Sequence, residues 1–459
     1  MIIPKQLLEK YNSPVPRYTS YPPANYFSDS VDEAKYIESV KVSNNGNPRN
    51  ISIYIHIPFC KKLCFYCGCN TSPLGTQGEM KKYVMALKEE IRMVAALIDK
   101  DRKVSQVHYG GGTPNVLKVE LIAELNDLIF SLFTLAEQPE IAIEVNPAHL
   151  TYEYIDQLKK SGFNRFSLGI QDFDEEVLKT VNRDPSALPV KDIIARLKSD
   201  NQPVKVNLDF IYGLPGQTVE SFQDSMQQAV ALRPDRMVTF SYAHVPWVKK
   251  AQKILDKKGL PDSDVKMKMF SESHDFLLSN GYQSIGMDHY VLESDELYQA
   301  VLTRSLHRNF QGYCTRQTTG QVYAFGVSAI SQLEKGYAQN IKSVKGYIEI
   351  VNSGHLPVEK GYILSESEVI VREVINQVMC NKYINWTAMA ASLNISLANL
   401  LNAIVYDEEA LKQFEKDGIL SFTTDGIDMT EEGALFIRNV AASFDPLTKN
   451  SSKQFSKPV

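Results

Sequence analysis

Short runs rich in Ile, Val, Tyr and Phe recur along this chain, each followed by a turn and then by a stretch in which apolar residues return every three to four positions. The first pattern is that of a strand and the second that of an amphipathic helix. Strands are expected at 51–57, 104–109, 141–145, 165–170, 204–212 and 236–241, with helices such as 80–100, 117–134, 152–161 and 219–232 between them. This alternation implies a parallel sheet with helical crossovers, an α/β fold and most simply a full or partial βα barrel. In such a barrel the chemistry collects at the carboxyl ends of the strands.

The pattern changes character near residue 365. From there to about 444 three helical segments, a short β pair around 419–422 and 426–429 and a closing helix from Glu431 resemble a winged helix, a small α+β unit. Such units often bind DNA. This one is crowded with Asp407, Glu408, Glu409, Glu415, Asp417, Asp425, Asp428, Glu431 and Glu432, so a basic recognition face is missing and a packing or lid role is expected. At the other end, Pro16-Arg17-Tyr18-Thr19-Ser20-Tyr21-Pro22-Pro23 is too rich in proline for a helix, and its basic and aromatic residues suit a segment lying over a pocket. The expected division is an N-terminal extension over the active site (1–48), a catalytic barrel (49–364), the winged-helix-like unit (365–445) and a polar tail (446–459).

A chain of 459 residues exceeds one core of ordinary size, in keeping with that division. Its 44% hydrophobic and 22% charged content is ordinary for a globular protein. The net charge of 49 minus 54, or −5, implies no bulk attraction to nucleic acid or to an anionic membrane, so an anionic ligand must meet local cations. The start, Met1-Ile-Ile-Pro-Lys-Gln, has no basic segment followed by an apolar run, and no uninterrupted apolar stretch approaches a membrane span. A cytoplasmic protein is expected.

Four of the six cysteines fall within ten residues: Cys60, Cys64, Cys67 and Cys69. Spacings of four and then three let one loop place three thiolates on three irons of a cubane and leave the fourth iron without a protein ligand. A closed zinc site would want four ligands, usually as two separated pairs, and a disulfide pair fits poorly with a chain that lacks a secretory signal. Cys60, Cys64 and Cys67 are therefore assigned to the cluster. Cys69 is not needed to close it and is either a small buried apolar residue or an active-site group.

Other unusual residues follow the remaining strands. Gly110-Gly111-Gly112-Thr113-Pro114 comes after the second, Glu144 closes the third, Gln171-Asp172 follows the fourth, and Asp209 lies in the fifth before Gly213-Leu-Pro-Gly216. Taken singly these read as a tight turn, an exposed carboxylate and a paired structural acid. Together with the cysteines at one rim they read as a site. Farther on, Gly286-Met287-Asp288-His289-Tyr290 and Leu306-His307-Arg308-Asn309-Phe310-Gln311-Gly312-Tyr313 are dense in His, Arg and aromatics, a composition that fits a flat polyanion as well as an ordinary polar loop.

The Cys-x3-Cys-x-aromatic-Cys loop, with Tyr66 as the aromatic, resembles that of the radical S-adenosylmethionine (SAM) enzymes. Almost end to end the chain resembles one family among them, the oxygen-independent coproporphyrinogen III oxidases. The resemblance rests on Pro16 to Pro22, the cysteine loop through Asn70, Gly110 to Pro114, Gly169-Ile-Gln-Asp-Phe173, Val181-Asn-Arg183, Asp209 to Pro215, Tyr242-Ala-His-Val-Pro246, Gly286 to His289, His307 to Tyr313 and Gly326-Val-Ser-Ala-Ile-Ser331.

That resemblance implies a radical SAM type of barrel, a [4Fe-4S] cluster and two SAM molecules. It implies oxidative decarboxylation of the propionates on rings A and B of coproporphyrinogen III to the vinyl groups of protoporphyrinogen IX. Tyr54, Gly111, Glu144 and Ile330 would hold the cluster-bound SAM; Tyr66, Gly112, Thr113, Gln171, Arg183, Asp209 and Ala243 would hold the second. Cys69 and Tyr54 are carried over as catalytic. Tyr66 stands where the family has phenylalanine, and the stretch from Cys314 departs from it. Arg17, His289, His307 and Arg308 are expected to meet the propionates. The expected partners are the porphyrinogen and a reductant of flavodoxin or ferredoxin type, with no nucleic acid or membrane and a monomeric chain. A related haem chaperone, a haem-degrading radical methyltransferase and an iron-sulfur DNA regulator are the rival readings; the chaperones typically lack the N-terminal string and the match to Cys69.

Overall fold

The computed structural model describes residues 5–199, 203–315, 321–448, 453 and 455. Most of the tail expected at 446–459 and of the departing stretch after Cys314 lies outside these residues.

Six strands alternate with helices in the expected order: β1 (Ile51–Ile57), β2 (Lys103–Gly111), β3 (Thr134–Val145), β4 (Arg165–Gln171), β5 (Lys205–Tyr212) and β6 (Arg236–Ser241). Neighbours along this series are parallel. The later strands are β7 (Tyr282–Gly286), β8 (His289–Leu292), the hairpin β9 (Leu306–Asn309) with β10 (Gly312–Thr315), β11 (Gln321–Phe325), β12 (Ile330–Leu333), β13 (Gly336–Asn340) and β14 (Val358–Ile363). The main sheet runs β14-β13-β12-β11-β1-β2-β3-β4-β5-β6-β8-β7. Its ends do not pair with each other, so the barrel is partial.

Period-two alternation makes this sheet two-faced. Val107, Tyr109, Ile141, Ile143, Phe166, Leu168, Leu208, Phe210 and Met237 bury one face in the main core, against the crossover helices. The residues between them, Gln106 and His108, Glu140 to Glu144 at every second position, Ser167, Asn207, Asp209, Val238 and Phe240, line one cavity on the other face. Five strands share that cavity, so the sheet is curled around it.

Caps decide where the crossover helices start. Thr76 and Glu79 form a capping box that begins the first at Gln77, and it ends at Ala95 rather than 100. Thr218 with Ser221 caps Val219–Ala231 in the same way.

The C-terminal unit begins with helix Glu366–Asn381, capped by Ser365 and stopped by Lys382 in a left-handed conformation, and three shorter helices follow before the β pair. A third strand, Tyr383–Asn385, completes its sheet in the order Tyr383–Asn385, Gly426–Met429, Leu420–Thr423. The unit shares a second core with the N-terminal segment, through Tyr11, Tyr18, Tyr21 and Phe27.

Candidate active site

The cysteine loop leaves β1 and is tied down by backbone and side-chain bonds from distant segments. Phe65 N–H donates to Val181 O at 3.0 Å, Asn182 Nδ2 to Leu63 O at 2.8 Å, Gln252 Nε2 to Tyr66 O at 3.0 Å and Lys249 Nζ to Cys69 O at 2.7 Å. No disulfide joins any of the six cysteines. Cys60 is buried and takes a bond from Thr113 Oγ1 at 3.4 Å. Burial pushes its thiol up to about 11, so a thiolate there at neutral pH needs a cation on the sulfur. Cys67 moves the other way, down to about 6, chiefly because the Cys69 thiol donates to it.

Among the described residues no three His, Cys, Asp or Glu side chains are close enough to hold a single ion. Three thiols on one loop, one of them protonated when bare, fit instead a polynuclear cluster in which each iron takes its own thiolate. Cys69 is exposed and opens onto the cavity.

Each glycine of the run after β2 is needed for a different reason. A Cβ on Gly110 would stand 2.6 Å from Glu144 Oε1, one on Gly111 2.5 Å from the His56 ring, and one on Gly112 2.5 Å from the carbonyl oxygen of Pro58. Gly111 also has φ +112°, which suits glycine alone. The run thus presses against the cysteine loop while leaving a cradle free of side chains.

Beside the cradle, Glu144 Oε1 lies 2.9 Å from His108 Nε2, and the His108 ring stacks on Tyr54 at 5.9 Å. Tyr54 OH is 3.2 Å from His56 Nδ1, whose Nε2 lies 3.0 Å from Asn70 O. Asp209 accepts from Ser167 Oγ at 2.6 Å and Asn207 Nδ2 at 2.7 Å. Burial, reinforced by the charge of Glu144 and opposed by these bonds, raises its carboxyl to about 6.

Glu144 and Asp209 belong both to the large cavity, of about 1750 Å³, and to a side recess of about 390 Å³. Gly112, Thr113, Gln171 and Arg183 line the recess as well. Gln171 adopts φ +71°, a strained backbone of the kind found at ligand sites. Arg183 donates Nη1 to Tyr66 OH at 3.2 Å and Nη2 to Gly169 O, which aims its guanidinium across the recess mouth.

Tyr66 and Ala243 line the large cavity. Ile330 stands apart from both spaces: it opens β12 beside β11, which carries Ala324, the register partner of Tyr54, and it packs on the second core. Asp172 turns into the protein, taking Ser225 Oγ and Gln217 Nε2 at 2.6 Å each.

Of the residues expected to meet propionates, Arg17 and His289 line the large cavity. Arg308 Cζ stacks 5.3 Å from the centre of the Tyr313 ring at its edge. His307 lies elsewhere, lining a separate cleft with Asn47, Gln332 and Arg372. The hairpin explains the split, because His307 pairs with Cys314 and Arg308 with Tyr313, and successive strand residues face opposite ways.

Sequence reasoning passed over His108, Ser167 and Asn207, which orient the two carboxylates, and Gln311 and Tyr313. Their signal was present, since each of the first three stands two residues from another cavity residue on its strand. Asn207 Oδ1, Gln311 Oε1 and Tyr313 OH are buried and have no hydrogen-bond partner among the described residues.

Residues 54–229 match the model of the Radical SAM superfamily, and residues 364–436 that of the HemN C-terminal domain. The chain is 39% identical to the oxygen-independent coproporphyrinogen III oxidase of Synechocystis sp., over 99% of this chain and 97% of that protein. It is 37% identical to the protein of the same name from Escherichia coli, over 99% and 98%. It superimposes on the solved coproporphyrinogen III oxidase (HemN) from Escherichia coli, a radical SAM enzyme, with a TM-score of 0.88 at 36% identity, covering 97% of this chain and 99% of that one.

Proposed function

The chain belongs to the family of oxygen-independent coproporphyrinogen III oxidases, and on that premise we propose that it converts coproporphyrinogen III to protoporphyrinogen IX by oxidative decarboxylation of two propionates. The observation that carries this reading is the meeting of a three-thiol loop, a side-chain-free glycine cradle and two carboxylates at one rim of a single cavity shared by five strands.

Cys60, Cys64 and Cys67 would hold the cluster, and Gly111, Glu144 and Tyr54, with Ile330, would frame the SAM bound to it. When bound, cluster and SAM would supply the one-electron chemistry by which a propionate is oxidised and loses carbon dioxide.

The chain's own residues bind, orient and exclude water. Glu144 accepts from an ammonium or ribose, and His108 fixes the carboxylate that does so. The recess of Gly112, Thr113, Gln171, Arg183 and Asp209 takes the second SAM, with Tyr66 and Ala243 at its mouth. Arg183 grips a carboxylate as a fork. Cys69 faces the reacting space, and Tyr54 backs it. Arg17, His289 and Arg308 provide cations for propionates.

The reductant is an external flavodoxin- or ferredoxin-like protein, and the enzyme works as a cytoplasmic monomer. Within it, 1–48 covers the site, 49–364 forms the catalytic barrel and 365–445 walls it. Among the described residues no helix is long and apolar enough to cross a membrane.

Anaerobic incubation of the reconstituted protein with reductant, SAM and coproporphyrinogen III, with products weighed by mass spectrometry, tests the proposal. Two successive losses of formic acid equivalents, each matched by one 5'-deoxyadenosine, are expected. Deoxyadenosine without vinyl product sinks it.

A further inference from the structure

A second cavity of about 1130 Å³ lies between the barrel mouth and the C-terminal unit, and it shares Arg17 and Ser241 with the large one. Cations converge on it from separate segments. Arg438, 4% exposed, reaches in from helix Ile437–Ser443 and donates Nε to Pro16 O at 3.0 Å. Arg17 stands 3.7 Å from Asp288, too far for a good hydrogen bond.

Arg308, beside them, aims Nη1 at the sulfur of Met287 at 3.2 Å, a weak acceptor. Its buried Nε has no hydrogen-bond partner among the described residues. Lys382 adds a fourth positive charge on the wall.

Against these stand Asp288 and Glu431. Asp288 already takes His289 Nδ1 at 2.7 Å on its other oxygen. Burial first, and then the nearby charges of Arg17 and Arg308, bring Arg438 down to about 9. Charge buried in excess is costly until an anion joins it. The rest of the wall mixes apolar Phe270, Leu278, Leu435 and Ile437 with polar Ser241, His274, Gln283 and Ser284. A carboxylate on a short hydrocarbon arm satisfies both features.

We propose that this second cavity binds the carboxylates of the propionate arms that do not react, holding the macrocycle by its far side while the reacting arm faces the cysteine loop. This rests on the reaction proposed above. Arg17 and Ser241 line both spaces, so a molecule that spans them meets Arg17 at the boundary. Selectivity for four carboxylates over two then resides in Arg438 and Lys382, both from the C-terminal unit.

The test uses the full-length chain with its cluster reconstituted anaerobically, and the variants Lys382→Met and Arg438→Gln. Two probes are titrated by fluorescence quenching: coproporphyrin III, with four carboxylates, and the analogue that keeps propionates only on rings A and B. Each variant is expected to bind the first about tenfold more weakly, the loss of one charge-assisted contact, and the second with little change. Equal losses for both probes, or none for either, overturn the proposal.

Arg438 also holds the N-terminal backbone, so circular dichroism accompanies its variant. If that variant loosens, Lys382→Met decides alone. A chain that prefers the tetracarboxylate through these residues yet forms no vinyl product keeps this site and loses the reaction.

Discussion

Replacing Asp209 by Asn separates what the barrel wants for stability from what the site wants for binding. The carboxyl is raised from an ordinary 3.8 to about 6, first by burial and then by Glu144. A raised carboxyl favours the fold while protonated and loses that advantage as pH climbs through the folded value. The cost of holding the charge is therefore absent below about pH 4, partly present near pH 5 and complete above about pH 6. Two units correspond to about 3 kcal/mol.

Asn preserves the local bonds, because its Oδ1 can take Asn207 Nδ2 and its Nδ2 can donate to Ser167 Oγ, the atoms now 2.7 and 2.6 Å from the carboxylate. For a chain of this length 3 kcal/mol corresponds to roughly 3 °C in the unfolding midpoint. Thermal scans of the cluster-free protein should show Asp209→Asn melting about that much higher at pH 8, with the gain shrinking towards pH 4.5. SAM affinity, measured by equilibrium dialysis of the reconstituted protein, should fall about 10- to 100-fold as a charged acceptor for ribose is lost. A gain that is equal at both pH values, or a variant less stable at pH 8, would refute the electrostatic account of this residue.

Gly112→Ala should leave the fold in place but deplete iron after reconstitution, since its Cβ meets the Pro58 and Phe59 carbonyl oxygens at 2.5 and 2.9 Å, backbone at the base of the cysteine loop; iron and sulfide analysis reads the outcome, and full loading contradicts it. Cys64→Ser should abolish the cluster's visible absorbance, whereas Cys314→Ser, in the distant hairpin, should retain it. Arg308→Ala should raise the KM for coproporphyrinogen about tenfold. His307→Ala, altering a residue of the separate cleft, should leave KM unchanged, and steady-state rates at limiting substrate distinguish the two.

The parallel half of the fold was legible because each of its strands carries its own evidence. β1 and β6 lie where the apolar runs place them, and the others differ only at their ends. β3 begins at Thr134, seven residues before the apolar run, because Thr134 to Glu140 mix polar and apolar residues, none of them buried, and carry no burial signal.

The later strands were harder. β11 pairs beside β1 although some 260 positions separate them, a neighbour relation no local pattern encodes. Tyr383–Asn385 joins the C-terminal sheet as a three-residue strand, too short for any period to show. In the site, residues were found where composition was unusual, at cysteines, glycine runs and His-Arg strings. His108, Ser167 and Asn207 escaped because single polar residues in strands are common, and what distinguishes them is the partner across the sheet. His307 parts from Arg308 for a related reason, since a string treats adjacent residues alike while a strand sends them to opposite faces.

The acidity of the C-terminal unit, taken from sequence as a bar to DNA, has a structural use of its own. Asp417 accepts from Tyr11 OH at 2.5 Å and from Lys10, and Asp445 accepts from Tyr18 OH at 2.9 Å. Asn439 Nδ2 and Arg438 Nε hold the backbone carbonyls of Tyr11 and Pro16. These bonds fasten the proline-rich N-terminal segment from both sides of Arg17, with Tyr18 and Tyr21 buried in the shared core as its anchors. Bonds to charged acceptors contribute about 1.5–3 kcal/mol each, so the segment is fixed by the C-terminal unit rather than by its own proline-rich backbone. Arg17, 39% exposed at its side chain and lining both cavities, is thereby held at the barrel mouth by the far end of the chain. A winged-helix-like unit that fastens this segment through Asp417, Arg438 and Asp445 forms the outer wall of a barrel that is otherwise open.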